Sequence, residues 1–224
     1  MAVASSPGGQ SVHLTRPIPT TVLHFTHVGH LPTVAREGLV SDAVARQGLL
    51  LTEVGNHDIK ARRRSRAVSV APGGVVADYA PFYFAPRSPM MYVIHRGSVP
   101  TYPGRCDDLV YLVTTVERLA QLAGPMVFTD RNAVLEIAEF SSEVSRLDSL
   151  IDWDLMRATM WNNDDAHPDR MERRMAECLV HERVPWAAFT EVVAKTTGCA
   201  QQARAAMASV GASVPVNVRP HWYF

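Results

Sequence analysis

The chain has 224 residues, and its 22 Lys and Arg balance 22 Asp and Glu to a formal net charge of zero. With 47% apolar and 20% charged residues, it has the composition of an ordinary globular domain, which excludes general disorder, a collagen-like repeat and a disulfide scaffold. The length suits one domain with an ample core, and neutrality argues against wholesale adhesion to nucleic acid unless the charges are unevenly placed.

Cys106, Cys178 and Cys199 form no CxxC pair. An odd, widely spaced set fits a reducing cytoplasm, where the protein is expected to reside. No apolar run reaches the length of a membrane span, so no membrane association is expected. The first twenty residues hold Ser, Gly and Pro without the apolar stretch of a signal peptide. They read as a flexible leader, residues 1–20, before a single domain covering 21–224.

In chain order, Thr21 to Phe25 is β-prone and predicts a first strand. Leu31, Val34 and Ala35 then share one face of a short helix, with Pro32 in its first turn and Gly38 at its end. Lys60 to Arg66 reads KARRRSR, five basic residues in seven, on a helix that Asn56 or Asp58 could cap. Ala71 to Gly74 is a loop signal. Pro81 to Phe84 and Tyr92 to Ile94 are short aromatic or apolar segments. Leu109 to Val113 is a continuous apolar run, the mark of a buried strand. A helix through Leu119 and Leu122 and a strand at Val127-Phe128 follow. Ile151, Leu155 and Ala158 fit an amphipathic helix. Met171, Met175 and Cys178 fit another, with Pro168 near its start and Cys178 to Val180 leaving as a strand. Thr197 is placed to cap a last helix carrying Ala200, Ala203, Met207 and Val210, with Gly211 behind it. Val216 to Val218 is a terminal strand. Strands and helices mix without regular βαβ alternation, so the class is α+β.

Several constellations can carry chemistry. His24 and His27 lie three apart, but strand alternation sends them different ways and no third ligand follows at finger spacing, so no metal is expected. The KARRRSR run contains no acid to neutralise it. Five like charges in two helical turns repel one another unless an anion such as a phosphate sits there. Alternation puts Tyr83 opposite Phe82 and Phe84, free to stack on a flat ring. Glu177 follows two arginines into an apolar run; by itself this reads as a surface or salt-bridged glutamate, and the functional alternative is an acid at a strand mouth tuned by partial burial. No Rossmann, Walker, GxSxG or HExxH pattern occurs.

Taken in order, these pieces resemble the DarT family of DNA ADP-ribosyltransferase toxins. The resemblance rests on His24-Phe25-Thr26-His27 with Leu31-Pro32, the His57 to Arg64 basic segment, and Gly73-Gly74 with Asp78-Tyr79. It continues through Pro81 to Phe84, Pro86-Arg87-Ser88-Pro89-Met90, Phe128 to Arg131, Ala176 to Val180, Val184-Pro185 and Trp222-Tyr223. It runs from about residue 22 to the end of the chain, which would make this the toxin unit without a fused antitoxin.

The resemblance implies a mixed α/β ADP-ribosyltransferase-like fold with a central split sheet and peripheral helices. It implies NAD⁺ as co-substrate, no metal, and transfer of ADP-ribose to a base in single-stranded DNA, thymine above all. A related branch modifies guanine, and RNA, protein or mere nucleic-acid binding stay open as alternatives. The implied partner is a macrodomain antitoxin of the DarG type, and the protein is expected to act as a monomer. By the same resemblance Glu177 and Arg63 are catalytic, and His24, Thr26, Tyr83 and Arg63 hold NAD⁺. His57, Arg62, Arg64, Trp161, Arg170 and Arg174 are expected to contact DNA. Cys178 departs from the family pattern, which places an aromatic or aliphatic residue there. Positive charge gathers at residues 60–66 and 170–174 and acid between 130 and 154, so zero net charge is compatible with contact to one short strand.

Overall fold

The computed structural model describes residues 15–49, 54, 57–100 and 102–224. Most of the predicted leader lies outside these residues. Its last part, 15–20, is described, and Thr20 there is fully buried and donates its N–H to Glu117 at 2.8 Å.

Strand β1 (Thr21–His27) leads through one 3₁₀ turn into α1 (Leu31–Glu37). Gly38 ends that helix at φ +81°, and its N–H closes on Val34 O at 2.9 Å. A Cβ at Gly38 would meet the Val184 carbonyl at 2.5 Å, so glycine is required twice over. There follow β2 (Leu39–Val40), α2 (Asp42–Ala45), α3 (His57–Ser65), β3 (Tyr79–Tyr83) and α4 (Pro89–His95). Tyr92 to Ile94 is thus helical: Ser88 caps Met91 N–H and Pro89 occupies the first turn. Next come β4 (Leu109–Thr115), α5 (Val116–Leu122), β5 (Met126–Thr129) and β6 (Phe140–Ser141).

The amphipathic helix predicted through Ile151 to Ala158 is two short pieces, α6 (Leu147–Leu150) and α7 (Trp153–Arg157). Ile151 sits extended between them, because the Asp152 side chain accepts from Leu155 N–H and restarts the helix. The helix predicted to carry Met171, Met175 and Cys178 is only α8 (Arg170–Arg173), and Cys178 already belongs to β7 (Glu177–His181). β8 (Arg183–Val184), β9 (Glu191–Ala194), α9 (Thr197–Ala208) and β10 (Val216–Val218) complete the chain. α9 is capped by Thr196, one residue before the predicted cap, since the Thr196 hydroxyl accepts from Cys199 N–H.

Eight strands form one sheet in the order β10-β9-β4-β1-β3-β7-β5-β6. All pairs are antiparallel except β9 with β10. β4, third in that order, is buried on both faces from Leu109 to Val113, as its unbroken apolar run requires. β1 pairs with β4 along seven residues, yet meets β3 at one pair only, Leu23 with Tyr83. The sheet therefore splits between β1 and β3. Side chains, not backbone, must fill that gap. Among the described residues no helix is long and apolar enough to cross a membrane.

Candidate active site

The split is where the chemistry collects. His24 from β1 bridges it: its Nδ1 lies 2.7 Å from the Pro81 carbonyl of β3. A carbonyl only accepts, so Nδ1 carries the hydrogen and Nε2 keeps its lone pair. Burial pushes the imidazole down from 6.5 to about 4 against the Pro81 bond, and the nearby His30, Arg63 and Lys60 charges add to the lowering. His24 is neutral at physiological pH. Thr26, two residues on, shares its face and pairs Oγ1 with His30 Nδ1 at 2.7 Å. His27 points elsewhere and accepts Gly29 N–H at 3.1 Å.

Phe25 and Tyr83 face each other across the split, ring centroids 6.2 Å apart and planes within 12°. Tyr83 pairs in register with Glu177 of β7. Burial, and then the Glu177 charge, push the Tyr83 phenol well above its usual range, so it remains a neutral ring and donor. Phe82 and Phe84 point into the core, as alternation predicts.

Glu177 begins β7 and is 1% exposed. Its N–H donates to Thr129 Oγ1 at 3.2 Å. Its Oε1 accepts Ala133 N–H at 3.1 Å, and Arg63 Nη1 reaches both carboxylate oxygens at 3.2 and 2.9 Å. The Ala133 amide is aimed by a tight turn after β5, in which Asp130 accepts Glu139 N–H and Arg131 Nε. Oε2 accepts one bond where it has room for two. Arg63 Nη2 is buried with no hydrogen-bond partner among the described residues. The pair is thus a held carboxylate with a spare acceptor beside a guanidinium with a spare donor.

Arg63 arrives on α3, a helix with no buried residue. Ionic contacts dock it in place of an apolar stripe. Lys60 Nζ meets Asp42 Oδ1 at 2.9 Å, Arg64 meets Asp42 Oδ2 at 3.1 Å, and Arg62 donates to Val134 O at 3.3 Å. Arg66 donates to Ala133 O and Glu136 O. Asp42 is half-buried, and burial raises its carboxyl, but Lys60 and Arg64 outweigh that and hold it below 3.8. Part of the basic run finds counter-charges far away in sequence, Lys60 and Arg64 sharing Asp42 and Arg63 meeting Glu177, while Arg62 and Arg66 hydrogen-bond only backbone carbonyls among the described residues. Asp58 lies inside α3 and does not cap it, and Asn56 lies outside the described residues.

Arg63 and groups from β1 and β3 line a cavity of about 550 Å³, with Glu177 bonded to the lining residue Arg63 but not itself on the wall. His24, Phe25, Thr26, Lys60, Arg63 and Tyr83 face it, and Asn132, Met90, Val93, Met171 and Met175 complete its mouth. Sequence reasoning missed Phe25, Asn132 and the Ala133 amide. Phe25 adjoins His24, and Asn132 and Ala133 follow the Phe128 to Arg131 segment, but nothing local marks them as pocket residues.

Two of the residues expected to contact DNA are structural. Arg174 is 4% exposed and donates to the carbonyls of Leu155, Met156, Ala158 and Pro86. Both of its terminal nitrogens are spent on interior carbonyls, and burial keeps the guanidinium from a phosphate in solvent. Trp161 is 5% exposed and packs edge-on against Tyr92 and Phe224. His57, Arg62 and Arg64 remain at the surface of α3, and Arg170 donates to Met160 O at 3.0 Å on the far side of the mouth. Among the described residues no group of three or more His, Cys, Asp or Glu could hold a metal ion.

A family model described as DarT, ssDNA thymidine ADP-ribosyltransferase, matches residues 23–224. A DNA ADP-ribosyl transferase of Thermus sp. (strain 2.9) is 35% identical over 181 residues, covering 80% of this chain and 82% of its own. The solved structure of Thermus sp. 2.9 DarT in complex with ADP-ribosylated ssDNA superposes with a TM-score of 0.88 at 31% identity, over 95% of this chain and 100% of that one. The same protein in complex with NAD⁺ gives 0.82 at 31% identity, over 94% and 100%. A DNA ADP-ribosyl transferase–DNA ADP-ribosyl glycohydrolase fusion protein of Thermosipho africanus is 27% identical over 72% of this chain and 39% of its own.

Proposed function

The chain belongs to the DarT family of ssDNA thymidine ADP-ribosyltransferases, and from that premise we propose that Glu177, Arg63, His24, Thr26 and Tyr83 are the residues that move ADP-ribose from NAD⁺ to a thymine of single-stranded DNA. One observation carries the assignment of roles: Arg63 Nη1 holds both oxygens of a buried Glu177 beside the split in the sheet.

NAD⁺ supplies a ribose carbon already bonded to a cationic leaving group. His24 and Thr26 bind the nicotinamide end, the bare Nε2 of His24 accepting from its amide N–H. Tyr83, backed by Phe25, lies along the ring. Glu177 steadies the positive charge that grows on the ribose as the bond to nicotinamide loosens and its electron pair leaves with that ring. The thymine ring nitrogen bonds to the ribose carbon, and its proton passes to Glu177, whose Oε2 has the free acceptor position. Arg63 turns Nη2 to a carbonyl of the base and offsets the negative charge developing there. A base in this cavity cannot be stacked inside a duplex, which fits single-stranded substrate. His57, Arg62, Arg64 and Arg170 are the basic groups placed to meet its phosphates. A macrodomain antitoxin of the DarG type belongs to the same proposal, supported by the Thermosipho fusion of transferase and glycohydrolase.

The test is a mass measurement. The protein is incubated with NAD⁺ and single-stranded or duplex oligonucleotides, with and without thymine. One ADP-ribose increment on single strands containing thymine is expected, and Glu177→Ala should abolish it while remaining folded. Transfer by folded Glu177→Ala would overturn the assignment of that residue, and transfer to strands without thymine would move the target to another base.

A further inference from the structure

The cavity mouth lies between two elements. On one side α4 turns Met90 and Val93 inward; on the other stand Met171 and Met175. Next to Val93, Tyr92 is 41% exposed. Its ring is nevertheless held. Phe224 lies 5.1 Å away at 68° and Trp161 6.3 Å away at 80°, both edge-on, while His95 stacks one turn on at 6.4 Å and 29°. Phe224 is itself clamped by the Arg87 guanidinium, 4.5 Å from its centroid. Trp161 joins α4 to the opposite lip, where Met160 is 65% and Met171 38% exposed.

Met171 lines the cavity together with Met90 and Val93, and the exposed side chains of Tyr92 and Met160 stand near these lining residues along the chain. Exposed apolar surface in such a cluster marks a place where something binds. The charges nearby indicate what. Exposed Arg96 follows α4, and Arg170 on the other side donates to Met160 O. Asp164 on that side lies 3.1 Å from His167 and 4.0 Å from Arg170. A braced aromatic with a basic margin suits a base and its phosphate, because every base offers a π-face and a pre-held ring loses little freedom on stacking.

We infer that Tyr92 is the stacking platform for the base next to the acceptor thymine, with Arg96 facing the phosphate between them. The inference rests on the reading of the chain as a transferase of single-stranded DNA. Wild type, Tyr92→Ala and Tyr92→Phe are compared at saturating NAD⁺ on oligonucleotides with one thymine. The thymine's neighbours are either normal nucleotides or abasic sugars. On the normal strand Tyr92→Ala should raise the KM for DNA about 5- to 100-fold, the span one base–aromatic stack supplies. Its kcat should stay within about twofold, its KM for NAD⁺ should not move, and Tyr92→Phe should match wild type. On the strand with abasic neighbours wild type and Tyr92→Ala should coincide. An equal loss on both strands, or no change in the KM for DNA, overturns the platform while leaving the transferase reading intact. A wild type that modifies neither strand overturns both.

Discussion

His24 allows the geometry of the split to be tested with protons alone. In an unfolded chain the imidazole protonates near 6.5; in the folded protein burial defers this to about 4. Between those values the unfolded state binds a proton that the folded state refuses, so stability falls as pH drops through that window and is unaffected above it. The folded and unfolded values lie 6.5 − 4 = 2.5 pH units apart, which at about 1.4 kcal/mol per unit caps the loss at about 3.5 kcal/mol. One edge of the ring meets the cavity, so about 2 kcal/mol is the expected loss. His24→Asn removes the titration and retains an N–H able to reach the Pro81 carbonyl. Equilibrium urea unfolding of both proteins at pH 7.5, 6.0 and 4.5 isolates the term, because every other group titrates in both. Wild type should lose about 2 kcal/mol relative to the variant between pH 7.5 and 4.5. A difference that stays constant across the three pH values would refute a neutral, buried His24 donating through Nδ1.

Two further variants probe how the Glu177–Arg63 pair and its surroundings are carried. Asp42→Asn removes the ionic clasp on α3 and should cost about 1 kcal/mol of stability, but kcat should fall about tenfold as Arg63 loses its alignment; a kcat within about twofold of wild type would show that the remaining contacts to Glu177 and Val134 seat the helix without Asp42. The Asp42 carboxyl lies below 3.8 when folded, so its contribution is complete above that value and drains away only as pH falls further. Arg174→Met leaves four carbonyls without their donor and should destabilise by about 3–5 kcal/mol, seen as a large drop in Tm, with the KM for DNA unchanged in the folded fraction. A raised KM at unchanged Tm would make Arg174 a phosphate ligand after all.

Arg174 also shows which features were legible in the sequence and which were not. A buried strand announces itself within five residues, and Leu109 to Val113 does so because both its faces must be apolar. The alternation of Phe82, Tyr83 and Phe84 is equally local. An arginine carries no such mark: it reads the same whether it will face a phosphate or four carbonyls. The helix predicted through Ile151 failed for a related reason, since one aspartate, Asp152, competes with the apolar period by restarting the turn. The split in the sheet is less visible still, because 51 residues lie between β1 and β3, and the missing ladder between them is a property of how two halves dock. The basic run is the sharpest case. Arg62, Arg63 and Arg64 are consecutive, so on a helix they point about 100° apart, and they end on three different walls: the Val134 carbonyl, the Glu177 carboxylate and the Asp42 carboxylate. Local pattern can say that one of three guanidiniums will meet the acid. Only the rotation of α3 about its own axis selects Arg63. That rotation is set by Asp42, twenty-two residues away from Arg64, and by Glu177, 114 residues away from Arg63.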